Sequence, residues 1–315
     1  MGETATTGAP HLVGVAATVL SAGPVRLRAT PDRGADLEVR VSAPITGRDL
    51  PIIVFSHGYG SSLRAYGPLA DHWAARGFVV VQPTHLDSRT LDLAPDDPRR
   101  PRFLQFRVAD VINVLDNLDV LAAAVPHLDG RLDPERIAAA GHSFGGQTTG
   151  VLLGATVIDQ DDGTRWGAAD SRIKAGVLLA TAGTGGSDLE PWAAEQFPYL
   201  NPDFAGLRTP TLVVAGDADD SPLSTRGPDW SADPFRLSPG ARALLTVFGA
   251  EHSLGGIPGY EAAETTDEDP ARVDLVQRVT TAFLRSILDD DAAGWSRILA
   301  QVRDERPSIG RIESA

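Results

Sequence analysis

The run Gly141-His142-Ser143-Phe144-Gly145-Gly146 sets a serine among glycines, where the strand-like stretch Arg136 to Ala140 gives way to a helix-like one. A serine hydroxyl is a weak nucleophile at neutral pH. It attacks a carbonyl only when a base takes its proton and N–H donors wait for the oxyanion that forms. Glycines at 141 and 145 permit the sharp turn that exposes such a serine, and the first turn of the following helix brings amide N–H groups and the positive dipole end to Ser143. In a chain with 32 glycines the bare pattern arises by chance in roughly one sequence in five, so the remaining parts have to be found. Two backbone donors are expected. One is the N–H of Phe144, and the other the N–H of Tyr59 in the turn His57-Gly58-Tyr59-Gly60, which follows the apolar run Ile52–Ser56.

The motif resembles the nucleophile turn of the α/β-hydrolases, in which the acid follows the nucleophile along the chain and the base comes last. Of the seven histidines only His252 suits that order, in Gly249-Ala250-Glu251-His252-Ser253 just past an apolar run ending at Phe248. The acid is expected after the run Thr211–Ala215, where Gly216-Asp217-Ala218-Asp219-Asp220 offers three carboxylates. Asp219 is the choice, because a turn begun at Gly216 should aim the third residue after it toward His252; Asp217 and Asp220 remain alternatives. The carboxylates left over are read as solvated turn residues. They lack the spaced oxygen ligands of a calcium loop, so no metal is expected. His57 is read as bracing its turn and His142 as packing beside the serine.

Those residues need a frame that brings distant segments together. Apolar runs at Leu37–Val41, Ile52–Ser56, Phe78–Gln82, Arg136–Ala140, Ala175–Leu179, Thr211–Ala215 and Ala243–Phe248 alternate with amphipathic stretches, which predicts a mainly parallel central sheet flanked by helices. Strand-end loops then converge on one sheet edge. Leu104, Val108, Val111, Ile112, Leu115 and Leu118 recur at helical spacing, and Gly146, Gly150 and Gly154 suggest a helix face that lies close to the sheet. Asp269-Pro270 caps a late helix through Val273, Val276, Phe283, Leu284 and Ile287. The connections Leu86–Arg102, Ile158–Asp170, Thr181–Leu207, Ser221–Gly240 and Ser253–Glu268 are long and rich in Pro, Gly and Asp, and are expected to wall a pocket without a large separate cap. Its apolar lining would come from Tyr59, Leu63, Phe103, Trp192, Phe197, Trp230 and Leu254. One catalytic unit is expected over 36–290, after a segment 1–35 holding a possible first antiparallel strand. Residues 291–315 are expected to form a surface helix and a disordered tail.

Composition narrows the partners. The net charge of −14 argues against nucleic acid and anionic membrane, and the absence of cysteine removes disulfides, thiolate catalysis and cysteine-type zinc sites. Residues 1–20 lack a basic leader, and no run is long enough to span a bilayer, so a cytoplasmic enzyme is expected.

Within the α/β-hydrolase superfamily, Val54-Phe55-Ser56-His57-Gly58-Tyr59-Gly60-Ser61-Ser62, Gly77-Phe78-Val79-Val80-Val81 and the serine turn resemble platelet-activating-factor acetylhydrolases and chlorophyllase-like esterases, over about Leu37 to Leu288. Phe144 is closer to the acetylhydrolase pattern, since chlorophyllases often carry a basic residue after the serine. The resemblance implies hydrolysis of an acyl ester through an acyl-enzyme, with a small-molecule substrate and no cofactor. Neutral, fairly hydrophobic esters are the expected substrates. Amide, lactone or thioester cleavage by the same residues is the alternative, and a ligand-binding protein that kept the fold without catalysis is the alternative of another class.

Overall fold

The apolar runs lie side by side in one nine-stranded sheet in the computed structural model, which describes residues 16–159, 162–259 and 266–315. In chain order the strands of this sheet are β1 (Val19–Leu27), β2 (Leu37–Pro44), β3 (Leu50–Ser56), β4 (Val79–Pro83), β5 (Leu132–His142), β8 (Ile173–Leu179), β10 (Thr211–Gly216), β11 (Ala241–Val247) and β12 (Gly310–Ser314). The short strands β6 (Thr156–Ile158), β7 (Arg165–Trp166) and β9 (Pro202–Asp203) form a separate small sheet. The large sheet runs β1-β2-β4-β3-β5-β8-β10-β11-β12. Its interior from β4 to β11 is parallel, while β1, β2 and β12 pair antiparallel at the two ends. With helices on both faces, this is the α/β-hydrolase fold.

Strands buried on both faces read as continuous apolar runs, and β3 shows why. Ile52 and Val54 enter the core on one face and Ile53 and Phe55 the core on the other. The first face is covered by α2 (Phe103–Asp116), α3 (Leu118–Ala124) and α4 (Phe144–Leu152). The second is covered by α1 (Gly67–Ala75), α7 (Pro270–Leu288) and α8 (Ala292–Asp304). Asp269 caps α7 as expected, its carboxylate accepting from Ala271 N–H at 2.9 Å. Two short helices, α5 (Pro191–Gln196) and α6 (Asp233–Leu237), lie in the long connections.

The strand order places the candidate site. The chain goes from β3 to a neighbour on one side, β4, and later to a neighbour on the other, β5, so the carboxyl ends of β3 and β5 border the crevice where the order reverses. Ser56 pairs with Gly141, so the His57–Gly60 turn and Ser143 leave the sheet side by side. Asp219 and His252 follow β10 and β11 at the same edge.

Three expectations need correction. The segment after α8 is not disordered: β12 pairs with β11 from Ala243↔Ser314 to Val247↔Gly310, covering what would be an open sheet edge. Gly146, Gly150 and Gly154 do not form one close-packing stripe, because α4 ends at Leu152 and Gly154 lies in the turn beyond it at φ +118°. A Cβ on Gly150 would stand 3.9 Å from its nearest neighbour, whereas one on Gly146 would meet Thr181 Cβ at 2.6 Å. Nor are Ile158–Asp170 and Thr181–Leu207 only loops, since they carry the small sheet and α5. Strands of two or three residues are too short to show a period. Among the described residues no helix is long and apolar enough to cross a membrane. The leader expectation for residues 1–15, and parts of the connections at 160–161 and 260–265, fall outside the described residues.

Candidate active site

Ser143 joins β5 to α4 with φ 56° and ψ −122°, a strained backbone for a residue with a side chain. Surrounding structure enforces it. Ser143 N–H donates to Leu179 O at 2.9 Å, and Ser143 O accepts from Gly146 N–H at 2.9 Å and Gln147 N–H at 3.2 Å. The flanking glycines are sterically required, because a Cβ on Gly141 would lie 2.1 Å from Gly145 O, and one on Gly145 would lie 2.0 Å from Ser56 O.

His252 Nε2 lies 2.9 Å from Ser143 Oγ, and its Nδ1 lies 3.0 Å and 3.2 Å from the two carboxylate oxygens of Asp219. With Nδ1–H donating to the carboxylate, Nε2 is left free to accept the serine proton. The carboxylate is 5% exposed and the imidazole 49%, so the carboxylate is sealed while the imidazole is open to solvent. The other two carboxylates are elsewhere. Asp217 Oδ1 accepts from Gly249 N–H at 2.5 Å, and Asp220 is exposed. The loop carrying His252 is pinned by Asp267, whose Oδ2 accepts from Glu251 N–H at 2.8 Å and Gly255 N–H at 2.9 Å.

The His57–Gly60 turn lies against the serine: a Cβ on Gly58 would stand 3.7 Å from Ser143 Cβ. Among the described residues no acceptor takes up the Tyr59 or Phe144 amide N–H. Behind this turn, Tyr66 at the start of α1 joins the two sides of the site. Its hydroxyl accepts from Gly58 N–H at 3.0 Å and is 2.8 Å from His142 Nδ1, while His142 Nε2 is 2.7 Å from His252 O. Because a carbonyl only accepts, His142 carries its proton on Nε2, and Tyr66 O–H donates to Nδ1. Burial pushes the His142 imidazole down to about 3, keeping it neutral. His142 is thus a hydrogen-bonded strut beyond the packing role expected of it.

A second group of charges backs the turn. Arg107 pairs with Asp87 through Nε at 2.7 Å and Nη2 at 2.8 Å, and Asp87 Oδ2 accepts from Gly60 N–H at 3.0 Å. His57 Nδ1–H donates to Gly58 O at 2.7 Å, and its Nε2 accepts from His85 N–H at 3.0 Å. Burial, then the Arg107 charge, holds His57 well below its ordinary value. His85 in turn contacts Asp110 Oδ2 at 3.0 Å and Ser56 Oγ at 3.2 Å, and Asp110 accepts from Arg33 Nε at 2.7 Å. Arg107, Asp87, Tyr66 and Asp267 were not foreseen. For Arg107 and Asp110 a signal existed: they interrupt the apolar stripe of α2, and a charge on a buried helix face must find a partner.

Beside the turn lies a cleft of about 170 Å³ lined by Tyr59, Arg100, Pro101, Phe103, Glu195, Gln196, Phe197, Pro198 and Tyr199. Tyr59 sits 6.1 Å from the Phe144 ring and 6.0 Å from Phe197, with its hydroxyl 3.0 Å from Arg100 Nη2. Trp192 packs edge-on to Phe197 at 6.4 Å and is 47% exposed. Of the expected lining residues, Tyr59, Phe103 and Phe197 meet here. Leu63, Trp230 and Leu254 do not: Leu63 borders a shallow depression with Arg40 and Arg64, Trp230 is buried with Nε1 donating to Thr184 O at 2.8 Å, and Leu254 is sealed in the core. Trp230 and Leu254 have apolar neighbours that take them inward. Among the described residues no cluster of His, Asp and Glu is arranged to hold a metal ion.

The model of the family described as Chlorophyllase matches residues 25–158, which include the His57–Gly60 turn and Ser143 and stop short of Asp219 and His252. The chain is similar to Cutinase 2 of Thermobifida cellulosilytica, at 25% identity over 76% of this chain and 69% of that protein. It is also similar to cutinase cut1 of Thermobifida fusca, at 25% identity over 76% of this chain and 56% of the relative. The platelet-activating factor acetylhydrolase of Cavia porcellus is 22% identical over 81% of this chain and 62% of the relative.

Proposed function

On the premise that this is an α/β-hydrolase-fold chain resembling serine esterases, we propose that it hydrolyses carboxylic esters through an acyl-enzyme on Ser143. The observation that carries this reading is the alignment Ser143 Oγ to His252 Nε2 at 2.9 Å and His252 Nδ1 to Asp219 at 3.0 Å. As Ser143 Oγ attacks the ester carbonyl, His252 Nε2 takes its proton, and Asp219 stabilises the imidazolium. The carbonyl oxygen becomes an oxyanion held by the N–H groups of Tyr59 and Phe144. Collapse expels the alcohol, which leaves with the proton returned by His252. Water, deprotonated by the same nitrogen, then attacks the acyl-enzyme, and Ser143 regains its proton as the acid departs.

The cleft supports a fairly hydrophobic substrate. Four of its nine lining residues are aromatic and two are prolines, and the one cation among them, Arg100, is matched by one anion, Glu195, so it offers no net charge to select a charged ester. Ser143→Ala tests the reading: it should abolish p-nitrophenyl butyrate hydrolysis and labelling by a fluorophosphonate while leaving the urea unfolding midpoint in place. Retained turnover in that variant would reject it.

A further inference from the structure

Arg107 is a guanidinium with no solvent exposure, in the middle of a helix face that is apolar apart from it and Asp110. A buried ion pair is weak evidence for stability, since removing two charges from water costs about what their attraction returns. The contacts of Arg107 beyond Asp87 are the informative ones. Nη1 donates to His57 O at 2.7 Å, Nη2 is 3.3 Å from Gly58 O, and the guanidinium carbon lies 4.3 Å from the centroid of the Phe144 ring. The Gly58 carbonyl and the Tyr59 N–H belong to one trans peptide plane and point in opposite directions. Holding the carbonyl toward Arg107 therefore turns the N–H to the other side of the turn. The same carbonyl also accepts from His57 Nδ1–H at 2.7 Å. Two donors on one carbonyl, one of them cationic, polarise the peptide and make its N–H a stronger donor. Asp87, fixed by Arg107, anchors the next part of the turn through Gly60 N–H at 3.0 Å.

We propose that Arg107 is a positioning residue of the oxyanion hole, clamping the Gly58–Tyr59 peptide so that the Tyr59 N–H is aimed and polarised for the oxyanion, while its stacking on Phe144 fixes the residue that supplies the second N–H. This rests on the esterase reading of Ser143. Arg107 touches no substrate; it acts through the two residues that do.

The test compares wild type, Arg107→Lys and Arg107→Gln, with active sites counted by fluorophosphonate labelling run to completion. The readouts are kcat and KM for p-nitrophenyl butyrate and Ki for an alkyl trifluoromethyl ketone, which adds Ser143 Oγ to form a hemiketal oxyanion in the same hole. A misaimed donor should lower kcat per site by about 10- to 100-fold and raise Ki by the same factor, with KM within about threefold of wild type. Arg107→Lys keeps the charge opposite Asp87 but loses the fork, and is expected to fall between wild type and Arg107→Gln. A merely structural role would lower the unfolding midpoint and the titratable fraction while leaving kcat per site and Ki unchanged, and that result overturns the proposal. So does a fall in kcat without a change in Ki. If Arg107→Gln fails to fold, Arg107→Lys decides alone. An inactive wild type, or an active Ser143→Ala, overturns the esterase reading itself and this proposal with it.

Discussion

Replacing each of the three carboxylates after β10 by its amide separates a partner of the base from turn residues. Asp219 lies 3.0 Å from His252 Nδ1, and its carboxylate is 5% exposed, while the imidazole is about half in water. As Ser143 loses its proton the imidazole becomes a cation, and a unit charge at that distance stabilises it by about 1.4 kcal/mol in a water-like dielectric and about 5.5 kcal/mol at an effective dielectric of 20. Because one partner is sealed and the other open, the true value falls between these limits, a loss of about 10- to 10⁴-fold in kcat for Asp219→Asn. The amide adds a second penalty, since its NH2 can face Nδ1 and favour the tautomer that leaves a proton on Nε2. Asp217→Asn keeps an oxygen for the Gly249 N–H, and Asp220→Asn changes an exposed group, so both should stay within about threefold of wild type. The assay is initial-rate hydrolysis of p-nitrophenyl butyrate per titrated site, with urea unfolding to verify that all three variants are folded. An Asp219→Asn enzyme within about threefold of wild type, or an equal loss in Asp217→Asn, would refute the assignment.

Gly145→Ala should disable the site and destabilise the chain by about 3 kcal/mol or more, because its Cβ would lie 2.0 Å from Ser56 O on a central strand; Gly150→Ala, with 3.9 Å of clearance, should gain up to about 1 kcal/mol from helix propensity. Urea titrations of the pair check both signs, and equal effects would show that the close approach at residue 145 is not binding. Tyr66→Phe removes one hydroxyl and leaves Gly58 N–H and His142 Nδ1 unpaired in the interior, which should cost about 2–4 kcal/mol without opening a cavity; a loss under about 0.5 kcal/mol would contradict it. His142 is held neutral by burial, down to about 3, so in the unfolded chain it gains a proton below its ordinary 6.5 that the folded chain refuses. Its contribution to stability is complete above pH 6.5 and declines toward pH 3. His142→Gln should therefore flatten the fall in unfolding free energy by about 1 kcal/mol per pH unit averaged between pH 6.5 and 5, and parallel pH curves for variant and wild type would exclude this.

What could be read from the sequence follows from how local each signal is. The serine turn is legible because the close approach of α4 to β3 demands glycine at 145, and the runs Ile52–Phe55 and Val79–Val81 are legible because strands buried on both faces are nearly all apolar, whereas Leu37–Val41 shows itself by alternation, with Glu38 and Arg40 half-buried. The pairing of Asp219 with His252 was reachable only through chain order and the turn begun at Gly216, as 33 residues separate them and nothing periodic links them. Tyr66 carries no local mark at all: its hydroxyl matters because α1 starts beside a turn eight residues earlier and beside His142, 76 residues later. Trp230 and Leu254 show the opposite failure. An apolar side chain in a loop signals burial, but not whether ligand or core buries it, and here the core does. The last strand escaped for a related reason, since Gly310 to Ser314 has one aliphatic residue, Ile312, and becomes a strand only because β11 offers an edge.

Two Ser–His–Asp alignments occur among the described residues, and their comparison shows what geometry alone is worth. Ser56 Oγ, His85 and Asp110 repeat the pattern at 3.2 Å and 3.0 Å, close to the 2.9 Å and 3.0 Å of Ser143, His252 and Asp219. Yet Asp110 is already engaged by Arg33, and Ser56 and His85 are both buried, so no carbonyl can reach Ser56. Its backbone also lies in the regular ladder of β3, where N–H groups are spent on neighbouring strands and none waits for an oxyanion. Ser143 differs in three respects: strained backbone at a strand end, a base half open to solvent, and two amide groups without acceptors. A substitution that exposed Ser56 would supply only access, leaving the base tied to a neutralised acid and the oxyanion unsupported. Among the described residues access, donors and strain occur together at the strand-order reversal, and for that reason the proposed catalysis belongs there, while the same three residue types brace the sheet one strand away.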